Sequence, residues 1–130
     1  MEKREDFSIP EDVAEWIGLK KSDYLSKLIG LLGADDFGFE EFHLFDDKIP
    51  ETIESPDKAY EEIQDGFKVR TYIKSYSGKV PFHQIILGAL VNDDELNASV
   101  FIPILSFVSR KDDLVKEFSV GSVIARQTLN

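Results

Sequence analysis

Apolar positions recur every three to four residues in the first half of the chain and every second residue from Phe67 onward, so helices are expected first and a sheet afterwards. Ser8-Ile9-Pro10-Glu11 joins an N-cap serine to a proline at the first helical position and a glutamate behind it. That signal predicts a helix from Pro10 to about Ile17, with Val13, Trp16 and Ile17 on its apolar face and Gly18 ending it. A second helix is predicted from Ser22 or Asp23 to Leu32, with Tyr24, Leu25, Leu28, Ile29 and Leu32 at helical spacing and Gly33 as its cap. Residues 34–47, ADDFGFEEFHLFDD, carry four phenylalanines without a clean period, and strand and helix fit them equally. Pro50 and Pro56, each followed by acids, predict two short helical turns.

Three strands follow, at 67–76, 82–91 and 98–108, joined by the short connections SGKVP and NDDELN as an antiparallel meander. In the first, GFKVRTYIKSY, alternation puts Phe67, Val69, Thr71, Ile73 and Ser75 on one face and Lys68, Arg70, Tyr72, Lys74 and Tyr76 on the other. The second is apolar on both faces around Ile85, Ile86 and Leu87, which places it centrally. Pro103 lacks a ladder donor and sends the third to an edge or a bulge. Ser109 followed by Asp112 caps a short helix to Phe118, and Val120 to Ala125 return as a fourth strand. The expected fold is α+β, with N-terminal helices packed on an antiparallel three- to four-stranded sheet and a short helix before the last strand.

The chain has 130 residues, 42% of them hydrophobic, enough for the core of one domain spanning 1–130. No apolar run approaches a membrane span, MEKREDFSIPED has no secretory apolar stretch, and there is no cysteine, a combination that points to the cytoplasm. Charge is unevenly divided. Residues 1–67 hold 19 acids and 7 bases, net −12, and residues 68–130 hold 6 acids and 8 bases, net +2, which together give the −10 of the whole. The acidic half suits docking to a basic partner protein, and the second half escapes the argument that so acidic a chain repels nucleic acid.

No phosphate-binding glycine loop, nucleophile elbow or metal-binding histidine helix is present, so neither metal nor cofactor is expected. His43 and His83 stand forty residues apart, and the acid pairs Asp35-Asp36 and Asp46-Asp47, like the run Asp93-Asp94-Glu95, suit solvated loops better than a convergent site. The remaining constellation is the even face of 67–76. Metal-free RNA cleavage needs a base for the 2′-hydroxyl, a cation for the charged transition state and a surface that holds the strand. Arg70, Lys74 and His83 are the catalytic candidates, and Lys68, Tyr72 and Tyr76 the binding candidates. The competing assignment for the same residues is the solvated outer face of a strand.

The run PETIESPDKAYE followed by VRTYIK, about twenty-five residues between Ile49 and Ile73, resembles a phage-associated branch of the barnase, EndoU, colicin E5/D and RelE-like ribonuclease superfamily. The likeness rests on Pro50, Glu51, Thr52, Ile53, Pro56, Asp57 and Tyr60, then Arg70, Tyr72 and Ile73. It implies a helix-plus-sheet fold, metal-independent RNase activity and a role in bacterial or phage conflict, with Arg70 and Tyr72 on matching positions. The basic-glycine-aromatic signature of that family's last strand is absent, because Ser119-Val120-Gly121 is followed by Ser122 and Val123. Two functions result: an RNase-like domain, active or degenerate, acting on RNA, and a non-catalytic immunity or adaptor protein binding a basic partner.

Overall fold

The computed structural model describes residues 9–93 and 98–126. Their order is α1 (Glu11–Leu31), a 3-10 helix η1 (Phe39–Lys48), α2 (Ile49–Glu54), β1 (Lys58–Gln64), β2 (Phe67–Tyr76), β3 (Phe82–Asp93), β4 (Ala98–Ser109), α3 (Asp112–Phe118) and β5 (Ser122–Arg126). All strands pair antiparallel in one sheet of order β4-β3-β2-β1-β5. The fold is α+β as expected, with a fifth strand. No helix among the described residues is long and apolar enough to cross a membrane.

The two predicted N-terminal helices are one. Val13, Trp16, Tyr24 and Leu28 form a single buried stripe through Gly18, which sits on the solvent side with open space around it. An exposed helical glycine costs about 1 kcal/mol, and the buried stripe on either side outweighs that. Pro10 is the N-cap and gives no side-chain bond, while Ser8 lies outside the described residues. Of the ambiguous 34–47 stretch, residues 34–38 form a turn and loop and the rest, from Phe39, becomes η1. Pro50 does begin a helical turn, but Pro56 leads into β1 instead.

β1 escapes the periodicity because KAYEEIQ carries so few apolar residues, and its partner is set by the turn behind it. Asp65 and Gly66 both adopt positive φ, 54° and 83°, and form a two-residue loop between the paired Gln64 and Phe67. That is the primed turn whose twist suits a hairpin. Trp16 locks it from α1, stacking on Phe67 at 4.4 Å and donating Nε1–H to the Asp65 carboxylate at 3.0 Å. β2 is therefore the middle strand of five, and β3 lies between it and the edge strand β4. Pro103 lies on that edge beside a register shift at Leu87/Gly88, as its missing donor requires. Gly88 is obligatory there, since a Cβ would lie 2.5 Å from the Ile102 carbonyl oxygen and against the Phe101 ring.

The sheet is covered on both faces, unequally. Val69, Ile73, Ile85, Leu87, Ala89, Leu105 and Phe107 pack under α1 and α3 in the main core. On the other face Ala59, Tyr72 and Ile86 pack under Ile49 and Ile53 of α2. η1 joins the faces: Phe42 packs against the main core, while Phe45 meets Phe82 at 4.7 Å and its carbonyl accepts from Gln84 Nε2 at 3.2 Å. Asp36, expected in a solvated loop, instead accepts hydrogen bonds from the backbone N–H of Phe37 and Arg110 and from the buried Ser109 hydroxyl. Ser109 thus spends its hydroxyl hydrogen on Asp36, and the N-cap of α3 is Lys111, without a side-chain bond. Beside it the Lys111 ammonium bonds Asp35 at 2.9 Å and holds that carboxyl below its ordinary pKa.

Thr52, wholly buried, anchors α2. Its hydroxyl lies 2.8 Å from Gln84 Oε1, 2.8 Å from the Lys48 carbonyl and 2.9 Å from the Tyr76 hydroxyl. Thr52→Val keeps the shape and strands the Gln84 amide oxygen, so it is expected to destabilise the fold by ~1–3 kcal/mol. Thr52→Ser is expected to recover most of that loss. Denaturant titration with an unchanged slope checks both.

Candidate functional site

Strand parity decides which of the sequence-predicted site residues meet. Lys74 is paired with Gln84 and Ser75 with His83, so His83 shares the face of Ser75 and the main core, while Arg70 and Lys74 point the other way. Arg70, Lys74 and His83 therefore do not form one site.

Each predicted catalytic or binding residue on the even face has a partner within the protein. Arg70 donates from Nε and Nη2 to Glu61 Oε2 at 3.1 and 2.6 Å, and from Nη1 to the Tyr72 hydroxyl at 3.0 Å. Burial works against its charge, but the bonds to Tyr72 and Glu61 outweigh it and raise the guanidinium above its ordinary pKa. Lys68 lies 3.8 Å from the same carboxylate. Tyr72 is 9% exposed, with Phe101 edge-on at 5.1 Å, so its ring has no open face for a base. Lys74 donates to the Ser55 carbonyl at 2.7 Å. Tyr76 stacks on Phe82 at 5.2 Å and turns its hydroxyl to Thr52; burial pushes its pKa up, so it stays a donor at neutral pH.

On the opposite face His83 bridges two elements. Nδ1 lies 2.6 Å from Ser75 Oγ and Nε2 lies 2.7 Å from Asp112 Oδ1 at the start of α3. Asp57 accepts the Ser75 backbone N–H at 2.7 Å. These residues line a cavity of ≈ 560 Å³ with Lys58, Tyr60, Ile73 and Lys116. Sequence reasoning singled out His83 and missed both of its partners. The detectable signal was register: a five-residue loop at 77–81 pairs Ser75 with His83 once the strand ends are known.

The charge also resolves more finely than by halves. Residues 35–65 hold twelve acids and two bases, a net −10 equal to that of the whole chain. Some of these acids serve the fold, as Asp36, Asp57 and Glu61 do. Glu40, Asp46, Asp47, Glu51 and Glu54, on η1 and α2, are exposed. Among them Phe39 and Leu44 are also exposed, by 42% and 63%, while His43 lies exposed on the same helix. Among the described residues no cluster of histidine and carboxylate side chains is arranged to hold a metal ion.

Arg70→Ala is expected to lower stability by ~1–3 kcal/mol, because it removes charge-assisted bonds and leaves the Glu61 carboxylate, 19% exposed, with Lys68 at 3.8 Å as its remaining cation among the described residues. Arg70→Lys should recover only part, since an ammonium cannot reproduce the fork. A variant that loses RNA retention at low salt with an unchanged unfolding midpoint would put the guanidinium on a binding surface instead. No family model matches the chain, and no curated protein or solved structure matches it significantly.

Proposed function

We propose that this chain is an acidic binding protein of the immunity or adaptor type, which engages a basic partner protein through η1 and α2. The observation that carries the proposal is the location of the charge. The net charge of residues 35–65 is −10, equal to that of the whole chain, and their exposed acids Glu40, Asp46, Asp47, Glu51 and Glu54 share η1 and α2 with two exposed apolar side chains, Phe39 and Leu44. Interfaces of this kind combine a few large apolar anchors with a charged rim that speeds encounter and rejects wrong partners. A nucleic-acid-cleaving toxin is the clearest type of partner, because its substrate surface must be cationic. The internal pairing of Arg70 and Lys74, and the separation of His83 from them, favour this reading over RNA cleavage on the sheet face.

The test is capture from the host, followed by reconstitution with the purified partner. The wild-type chain should retain a basic protein, with affinity falling ~10-fold or more between low and physiological salt. Reversing Asp46, Asp47, Glu51 and Glu54 to lysine should abolish retention, and Leu44→Ala should weaken it without changing its salt dependence. Binding indifferent to both salt and charge reversal would overturn the proposal. So would RNA retained at low salt by wild type and reversal variant alike.

A further inference from the structure

Ser75, His83 and Asp112 come from the end of β2, the start of β3 and the start of α3, and they meet in one hydrogen-bonded row. We propose that this row makes Ser75 a nucleophile toward short-chain carboxylic esters bound in the cavity beside it. The site stands on different residues from the acidic docking surface and does not depend on it.

The hydrogen-bond geometry assigns the roles. A carboxylate only accepts, so Nε2 carries its proton toward Asp112, and in the tautomer with that single proton the Nδ1 lone pair faces Ser75 Oγ at 2.6 Å. This is the serine–histidine–aspartate order with the two ring nitrogens exchanged. Either nitrogen serves as a base when the other is held by a carboxylate. Ser75 is exposed, so its hydroxyl is open to a substrate, whereas the His83 side chain is only 22% exposed and is fixed between its partners. The Asp57 carboxylate holds the Ser75 backbone by accepting the Ser75 N–H.

The cavity supplies the remaining requirements. Its volume of ≈ 560 Å³ suits a small ligand, and Ile73, Tyr60 and Val115 give it an apolar wall for a short acyl chain. Lys58 and Lys116 line it too, and a cation there stabilises the carbonyl oxygen as it becomes an oxyanion. Ser75 Oγ attacks the ester carbonyl carbon while its proton passes to Nδ1. The tetrahedral intermediate collapses by breaking the bond to the alcohol oxygen, which takes the proton back from Nδ1. Water, deprotonated by the same nitrogen, then attacks the acyl-serine and releases the carboxylic acid. The net change is ester plus water to acid plus alcohol, with Ser75 and His83 restored. Asp112 is a positioning residue, since it acts through His83.

The full chain is incubated with p-nitrophenyl acetate, and acetylation is followed at each serine by peptide mass spectrometry. Ser77, exposed two residues along, is the internal reference. Ser75 should acetylate at least ~10-fold faster than Ser77, and His83→Gln should slow it by ~100-fold or more, the usual contribution of a general base. Asp112 is 87% exposed, so Asp112→Asn leaves the fold intact; it should slow acetylation by up to ~10⁴-fold, with Asp112→Glu restoring the rate. Acetylation of Ser75 no faster than of Ser77 would overturn the proposal. A rate unchanged in Asp112→Asn would do so as well, even if His83→Gln failed to fold.

Discussion

The hydrogen bond between Thr52 and Gln84 sets where every other part of the second sheet face can lie. Gln84 sits in an interior strand with 1% of its surface exposed, and a buried amide left unpaired costs more than most single contacts return. Its oxygen is met by Thr52 and its nitrogen by the Phe45 carbonyl, so one side chain binds α2 and the end of η1 to β3. With α2 held there, Ile49 and Ile53 come down on Ala59, Tyr72 and Ile86. An alternating strand with cations on one face therefore lacks a uniformly solvated outer side. Tyr72 and Tyr76 are absorbed by the packing, and Arg70 is left at its margin.

The margin explains the Arg70–Glu61 pair. A guanidinium beside a buried tyrosine and an aromatic cluster needs acceptors close by, and the hairpin register sets Glu61 directly across from Arg70. Acids in this chain thus fall into two groups with different work. Glu61, Asp57 and Asp36 hold strands, turns and helix starts in place, each accepting bonds from neighbours in the fold. Glu40, Asp46, Asp47, Glu51 and Glu54, on η1 and α2, are exposed on elements already fixed by Thr52, Gln84 and Phe45. A charged surface on a rigid support keeps its pattern on encounter, which is what complementarity to one partner requires.

The strands that alternate apolar and polar residues were legible from the chain, and so were the short helix before the last strand and the edge position enforced by Pro103. β1 was not, because KAYEEIQ has only Ala59, Tyr60 and Ile63 to mark it, and its acidic and amide residues, Glu61, Glu62 and Gln64, are all held by side-chain hydrogen bonds. The Asp65-Gly66 pair was the available signal, since two residues of that kind between alternating runs specify a tight hairpin. The α1 error had the opposite cause. Gly18 is a real local weakness, and a buried stripe supplied by the sheet overrides it, something no window of the helix itself contains.

Site residues were harder to see than elements because a strand shows its face but not its neighbour's. Knowing that Arg70, Tyr72 and Lys74 share a side says nothing about His83 until the register is known, and a shift of one residue moves a side chain to the opposite surface. The register that removes His83 from Arg70 gives it Ser75 instead. Ser75 is the last odd position of a strand whose preceding odd residues, Val69, Thr71 and Ile73, are buried. At that point the core face runs out toward solvent, and α3, anchored inside by Leu114 and Phe118, brings Asp112 to its rim. A polar residue ending an apolar stripe is therefore where an antiparallel sheet can place a hydroxyl, an imidazole and a carboxylate in a row without burying any of them unpaired.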